Sequence, residues 1–295
     1  ILSRQMQFTP ALKTACGMSL ISMVSMEIVM NAVDVLLIAP EGLANSKFNK
    51  EVLEKVSNRI GLFVIDEAHC ISDWGHDFRP DYKRILNVIK QIPSNTPVLA
   101  TTATANNRVV ADIKKHLGKI ELGRGPLMRN TLALQNFRFP SVAERLTWLA
   151  NNLNKLNGTG IIYTSTTKDA ERVASWLQSQ NISAYAYHGG DIHDKNFPDK
   201  FKYKKHLEEA LLSNQVKALV ATSALGMGFD KPDLGFVIHY QAPASIVHYY
   251  QQVGRAGRGI EAAFGFLMTG EEDKAIQDYF REGAFPTNAE IEEVM

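Results

Sequence analysis

Short aliphatic runs alternate with helix-spaced stretches along this chain, and the alternation predicts its architecture. The runs at 34–40 (DVLLIAP), 61–67 (GLFVIDE) and 97–103 (PVLATTA) are brief, rich in aliphatics and end in small or polar residues. That pattern predicts strands buried on both faces. Residues 49–58 and 80–91 carry helical spacing between them. The pattern resumes after about residue 140, with strands expected at 160–165, 183–188, 217–223, 235–240 and 262–268. Over 168–181, Val173, Trp176, Leu177 and Gln180 step by three and four, which predicts a helix. Further helices are expected over 205–214 and 245–254, the second with Ser245 as its N-cap. Strand–helix alternation implies an α/β fold of mostly parallel sheets flanked by helices, with right-handed crossovers. The polar stretch 130–141, with Pro140, interrupts it. Two lobes are therefore expected, 1–139 and 140–270, followed by a charged helical extension over 271–295.

Composition narrows the class. A chain of 295 residues fits two domains, and 45% hydrophobic with 21% charged residues excludes wholesale disorder. No stretch approaches about 18 uninterrupted apolar residues, so no membrane span is expected. The first 40 residues lack a basic start, a compact apolar middle and a cleavage site, so no secretory signal is expected. Two cysteines, Cys16 and Cys70, cannot build a disulfide framework or a four-thiolate zinc site, which suits a reducing, cytoplasmic setting. The net charge of +1 neither supports nor excludes nucleic-acid binding, because placement of charge decides it. The densest basic cluster is Lys195, Lys200, Lys202, Lys204 and Lys205, in a stretch expected to be an irregular surface insertion over 190–205. It reads as a solvated face or as a phosphate-contacting loop.

The first chemical signal is LFVIDEAH (62–69), where an apolar run ends in two carboxylates and a histidine. Ligands of open α/β sheets gather at the carboxyl ends of strands. A carboxylate there can hold magnesium directly or through water, and a second can orient an attacking water. Asp66 suits the first role, Glu67 the second, and His69 is expected to contact the facing lobe. The next segment, CISDWGHDFRPDY (70–82), puts Trp74, His76, Phe78 and Arg79 in a loop, an arrangement suited to base stacking and phosphate contact. A rival reading takes His69, Cys70, Asp73, His76 and Asp77 as metal ligands, but their spacing matches no standard zinc pattern. ATTATA (100–105) offers Thr102 and Thr104 as hydrogen-bonding links from the acidic motif to the second lobe. In VATSALGMGFDKPD (220–233), a strand reaches Thr222, and Gly226 and Gly228 allow close backbone approach to phosphates. YYQQVGRAGRG (249–259) sets Arg255 and Arg258 three apart among glycines, and guanidinium groups fit phosphate.

DEAHCISDWGHDFRP resembles the magnesium-binding motif and aromatic-rich loop of the RecQ-family DNA helicases, of helicase superfamily 2. IIYTST (161–166), YHGGD (187–191), the 220–233 segment and the 249–259 segment resemble later motifs of that family, in order. The resemblance covers about residues 30–270. It implies two RecA-like lobes, with ATP and Mg2+ in the cleft between them. It implies 3′-to-5′ translocation on single-stranded DNA and unwinding of duplex DNA, in repair or recombination, at the nucleoid or in the nucleus. By it, Asp66 holds magnesium through water, Glu67 prepares water, and Trp74, His76, Phe78 and Arg79 sense single-stranded DNA. Thr222, Gly226 and Gly228 would touch the DNA backbone. Asp230, Gln251 and Gly254 would lie by the nucleotide, with Arg258 as arginine finger and Arg255 as second phosphate contact.

A nucleotide-hydrolysing lobe needs a phosphate cradle, commonly a Gly-rich loop ending in Lys-Ser/Thr. The single Gly-Lys pair, Gly118–Lys119, is followed by Ile120, and only Gly17 and Gly42 precede residue 61. RQMQ (4–7) resembles sequence lying after the family's cradle, so the first lobe is expected to be incomplete and the chain to belong to a longer one. Three alternatives stay open: a nucleic-acid-binding module or degenerate ATPase, an RNA helicase of a DEAD or DEAH group, and a metal-dependent hydrolase.

Overall fold

The computed structural model describes residues 28–30, 32–72, 81–125, 129–190, 197, 199–225, 229–271, 273, 275 and 278. The chain divides into two compact units, Ile1–Gly123 and Arg124–Met295.

In the first unit, β1 (Phe63–Ile65) and β2 (Val98–Ala100) pair in parallel, with Val64 opposite Leu99. Helix α1 (Tyr82–Ile89) buries Tyr82, Ile85 and Val88 at helical spacing. Helix α2 (Asn107–Leu117) is N-capped by Asn106, which accepts from Val109 N. Both helices pack with Ile65, Ala68 and Ile71 into one core. The alternate side chains of the sheet, Leu62, Val64 and Leu99, are about half exposed (54, 52 and 49%). The expected strand over 34–40 does not form. Val35 and Leu37 are exposed there, and a 3-10 turn, Pro40–Ala44, follows. An apolar run becomes a strand only where a neighbour takes up its ladder hydrogen bonds, and among the described residues none does.

Among the described residues, the second unit holds six parallel strands in the order β3-β8-β7-β4-β6-β5. They are β3 (Leu132–Arg138), β4 (Thr159–Tyr163), β5 (Ala184–Tyr187), β6 (Ala218–Ala221), β7 (Leu234–His239) and β8 (Ala263–Thr269). Between them run α3 (Val142–Asn152), α4 (Thr167–Ser179), α5 (Lys200–Leu212) and α6 (Ile246–Val253). One face packs Ile162, Val220, Phe236 and Ile238 against Leu149, Val173 and Leu177. The other packs Ile161, Leu219 and Val237 with Tyr203, Leu207 and Leu211. Parallel sheets need both faces covered, and this one has them.

Three expectations change. The stretch 130–141 does not separate lobes, because β3 lies inside it and pairs along its whole length with β8. The division therefore falls at Gly123/Arg124 rather than at 139/140. Helix α5 begins at Lys200, within the expected irregular insertion, because Tyr203, Leu207 and Leu211 give it a buried stripe. On α4, Trp176 is not a core position. Its ring lies 36% exposed and donates to Leu146 O, while Ala170, Val173, Ala174 and Leu177 form the buried face.

The extension after β8 is tied to this unit by a buried ion pair. Arg145, fully buried, donates to Asp273 Oδ1 at 2.9 Å and to Tyr240 O at 2.6 Å. Among the described residues, no helix is long and apolar enough to cross a membrane.

Candidate functional site

The acidic motif leaves the carboxyl end of β1. Backbone bonds clamp its loop to the loop after β2: Ala68 N donates to Thr101 O, and Thr101 N to Ile65 O, each at 2.9 Å. Thr101 Oγ1 then donates to Asp66 Oδ1 at 2.8 Å, and Glu67 N reaches the same oxygen at 2.9 Å. Asp66 is thus oriented through one carboxylate oxygen, and no described residue bonds the other. Glu67 sits in the left-handed region, at φ 49° and ψ 43°. For a residue with a Cβ that conformation is costly, and such strain concentrates at functional sites.

His69 is buried behind this pair, 3% exposed. Its Nδ1 lies 2.9 Å from Thr102 Oγ1 and 3.2 Å from Glu67 Oε2, and its Nε2 is 3.7 Å from Cys70 Sγ. Cys70 and Glu67 together raise His69 to about 10, against burial. A raised histidine stabilises the fold below the unfolded value of 6.5, and that contribution is lost as pH climbs through 10. Thr102 meets the acidic motif through His69, and Thr104 N donates to Thr102 Oγ1 at 3.2 Å. The Thr104 hydroxyl is buried with no hydrogen bond among the described residues. Thr101, which sequence reasoning passed over, is the threonine that touches Asp66.

The second unit gathers its predicted residues around the loop after β6 and the turn after α6. Thr222 N donates to Tyr187 O at 3.3 Å, and its hydroxyl accepts from Ala224 N. Gln251 lies on α6, with a buried side-chain NH2 that makes no hydrogen bond among the described residues, and Gly254 caps the helix. Arg255 Nη1 donates to Phe229 O at 2.8 Å. Beside it, burial pushes Tyr163 up to about 12, with Arg255 opposing. Arg258 Nη1 donates to Asp230 Oδ1 at 2.7 Å.

The arginine-bearing turn is rigidly supported. Arg129 Nη1 donates to Gly254 O at 2.9 Å and Ala256 O at 2.7 Å, and Thr131 Oγ1 donates to Gly257 O at 2.8 Å. Gly257 has φ +71°, and a Cβ there would come within 3.0 Å of Thr131 Oγ1. A Cβ on Gly259 would lie 2.9 Å from Pro232 Cβ. These glycines are set by space as well as by turn geometry. Arg129 and Thr131 had no sequence signal, because their partners lie more than 100 residues away.

Trp74, His76, Phe78, Arg79, Gly226 and Gly228 lie outside the described residues, as do Asp73 and Asp77 of the rival metal reading. Among the described residues, no group of three or more His, Cys, Asp or Glu side chains could hold a metal ion.

His239 was also missed. At the end of β7, its Nε2 lies 2.9 Å from Gln252 Oε1 on α6, and its ring lies beside Tyr163 and Tyr249. Burial lowers it to about 4, so it is neutral and Nε2 carries the proton donated to Gln252. The unfolded chain takes up that proton near 6.5, so stability falls as pH drops from 6.5 towards 4, by on the order of 3 kcal/mol. Urea unfolding of the chain across that range should show the loss, and His239→Gln should flatten it.

Two family descriptions match this chain: DEAD/DEAH box helicase over residues 4–113 and Helicase conserved C-terminal domain over residues 143–259. A probable ATP-dependent DNA helicase RecS of Bacillus subtilis is 34% identical over 265 residues, covering 88% of this chain and 51% of that protein. This chain is a homologue of the RecQ-family helicases. The RecQ-like DNA helicase BLM of Xenopus laevis is 36% identical over 82% of the chain and 17% of its own length. The ATP-dependent DNA helicase Q1 of Mus musculus is 38% identical over 80% of the chain and 36% of its own length. The chain thus spans about half the length, or less, of these curated RecQ-family relatives. Solved structures share its fold: S. cerevisiae Dbp5 bound to Gle1 and IP6, at 20% identity with TM-score 0.62, covers 87% of this chain and 66% of the Dbp5 chain. The Mycobacterium smegmatis helicase Lhr bound to ssDNA and AMP-PNP also has TM-score 0.62 at 20% identity, over 84% of this chain and 33% of its own. The fold is that of helicase cores with two RecA-like lobes.

Proposed function

We propose that this chain is the motor core of a RecQ-like, ATP-dependent DNA helicase that translocates 3′-to-5′ on single-stranded DNA and unwinds duplex DNA. The observation that carries the reading is that each unit holds an oriented constellation of its own. Asp66 is oriented at a strand end by Thr101, and the Glu67 carboxylate lies 3.2 Å from His69 Nδ1. Arg255 and Arg258 are fixed on a braced turn by Arg129 and Thr131. Asp66 fits a magnesium ion held through water, since one of its oxygens stays without a bond among the described residues; the ion would neutralise phosphate charge. Glu67 orients water, with His69 holding its carboxylate. Arg255 and Arg258 receive phosphate oxygens. Gln251, Gly254 and Asp230 lie in the same turn-and-loop cluster, on the nucleotide side. Thr222, Gly226 and Gly228 contact the DNA backbone, and Thr102 and Thr104 carry changes at the acidic motif onward. The protein would work where DNA lies, in the bacterial cytoplasm or a nucleus.

Strand displacement by the intact natural protein tests the proposal. Duplexes with a 3′ single-stranded tail should be opened, and those with a 5′ tail should not. Trp74→Ala should weaken the stimulation of ATP hydrolysis by single-stranded DNA and largely spare hydrolysis without DNA. Unwinding from a 5′ tail alone would end the polarity assignment.

A further inference from the structure

Arg258 is held by a carboxylate. Its Nη1 donates to Asp230 Oδ1 at 2.7 Å, and its Nε is 3.4 Å from Gly254 O. Both side chains remain accessible, 41% and 62% exposed. The neighbouring arginine is treated differently. Arg255 donates to the backbone oxygen of Phe229, which carries no net charge. The two guanidinium groups of the turn therefore contact consecutive residues, 229 and 230, and among the described residues Arg258 pairs with a carboxylate while Arg255 meets a neutral carbonyl.

The turn has supports besides the ion pair. Arg129 and Thr131 bind its carbonyls, Gly257 N donates to Leu234 O, and Gly259 N donates to Pro232 O at 2.7 Å. Loss of the Asp230 carboxylate would alter the charge facing Arg258 and leave the supports of its backbone intact. A guanidinium presents the same fork of donors to carboxylate and to phosphate, so one anion on Nη1 competes with another.

We propose that Asp230 is an internal competitor for the phosphate that Arg258 receives, so that phosphate binding requires this ion pair to open. The inference rests on the reading of Arg258 as a phosphate-binding residue. It departs from the resemblance, which sets Asp230 beside the nucleotide as a contact. The two roles predict opposite signs. A nucleotide contact, once removed, weakens binding; a competitor, once removed, strengthens it. An exposed ion pair restrains its partner weakly, so the gain should be about threefold.

The test is calorimetric titration of the whole chain at low salt with inorganic tripolyphosphate, ATP and a short single-stranded oligonucleotide. Asp230→Asn keeps the side chain's size at an exposed position, and Asp230→Ala serves as a second variant. Both should bind tripolyphosphate about threefold more tightly than the parent chain. The gain should vanish when Arg258→Ala is added and shrink as salt is raised. A matching gain for ATP alone assigns the phosphate to a nucleotide, and a gain for the oligonucleotide alone assigns it to the DNA backbone. Unchanged or weaker tripolyphosphate binding in both variants would overturn the proposal, as would no binding by any of the chains. Absence of DNA-stimulated ATP hydrolysis in the intact natural protein would instead end the helicase reading, and the tripolyphosphate result would stand apart from it.

Discussion

Arg258→Ala is expected to lower DNA-stimulated ATP turnover in the intact natural protein by about 1,000-fold. An arginine that meets the transferring phosphoryl group stabilises charge that grows in the transition state, so its loss falls on kcat more than on KM. The structure favours a clean effect. The turn that carries Arg258 is held by Arg129, Thr131 and two glycines, and none of these supports runs through the Arg258 side chain. The alanine variant should fold and still bind DNA. Arg258→Lys should recover little, because an ammonium lacks the planar fork. Turnover within a few-fold of the parent protein would remove Arg258 from the chemistry.

Glu67→Gln should be nearly as damaging, with turnover lowered by about 100- to 1,000-fold. Glutamine keeps the size of the side chain but cannot take a proton from water. It also removes the carboxylate 3.2 Å from His69 Nδ1, one of the two groups that raise this histidine to about 10. His69 should therefore titrate at lower pH in the variant, which an NMR titration of its ring can follow. ATP and DNA binding should persist, giving a stalled complex. A variant that hydrolyses ATP normally while His69 titrates lower would confine Glu67 to a structural role.

Much of this was legible in the sequence because buried parallel strands announce themselves. β4, β6 and β7 are buried at every residue and, apart from Thr159 and His239 at their ends, hold only apolar residues and glycine, and each lies within a residue or two of where the pattern put it. β3 was hidden for the opposite reason. It is an edge strand, with Leu134, Gln135 and Asn136 exposed, and such a strand has no reason to read as apolar. The run at 34–40 shows the converse, since its apolar residues have no neighbouring ladder among the described residues. Asp66, Glu67, Arg255 and Arg258 were visible as charged residues set against strand ends and glycines. Their supports were not, because Thr101, Arg129, Thr131 and Gln252 act through contacts set by the fold, not by spacing. The lysine-rich start of α5 hid a buried stripe behind its charges.

The proposed motor function requires that DNA drive ATP hydrolysis. The measurement that tests it most directly is steady-state ATPase activity of the intact natural protein, with Mg2+ present, compared with no nucleic acid, with single-stranded DNA and with single-stranded RNA of the same sequence. Strong stimulation by DNA, little by RNA, and loss of the DNA response at high salt are expected. Equal activity in all three conditions, or stimulation by RNA alone, would contradict the proposed function.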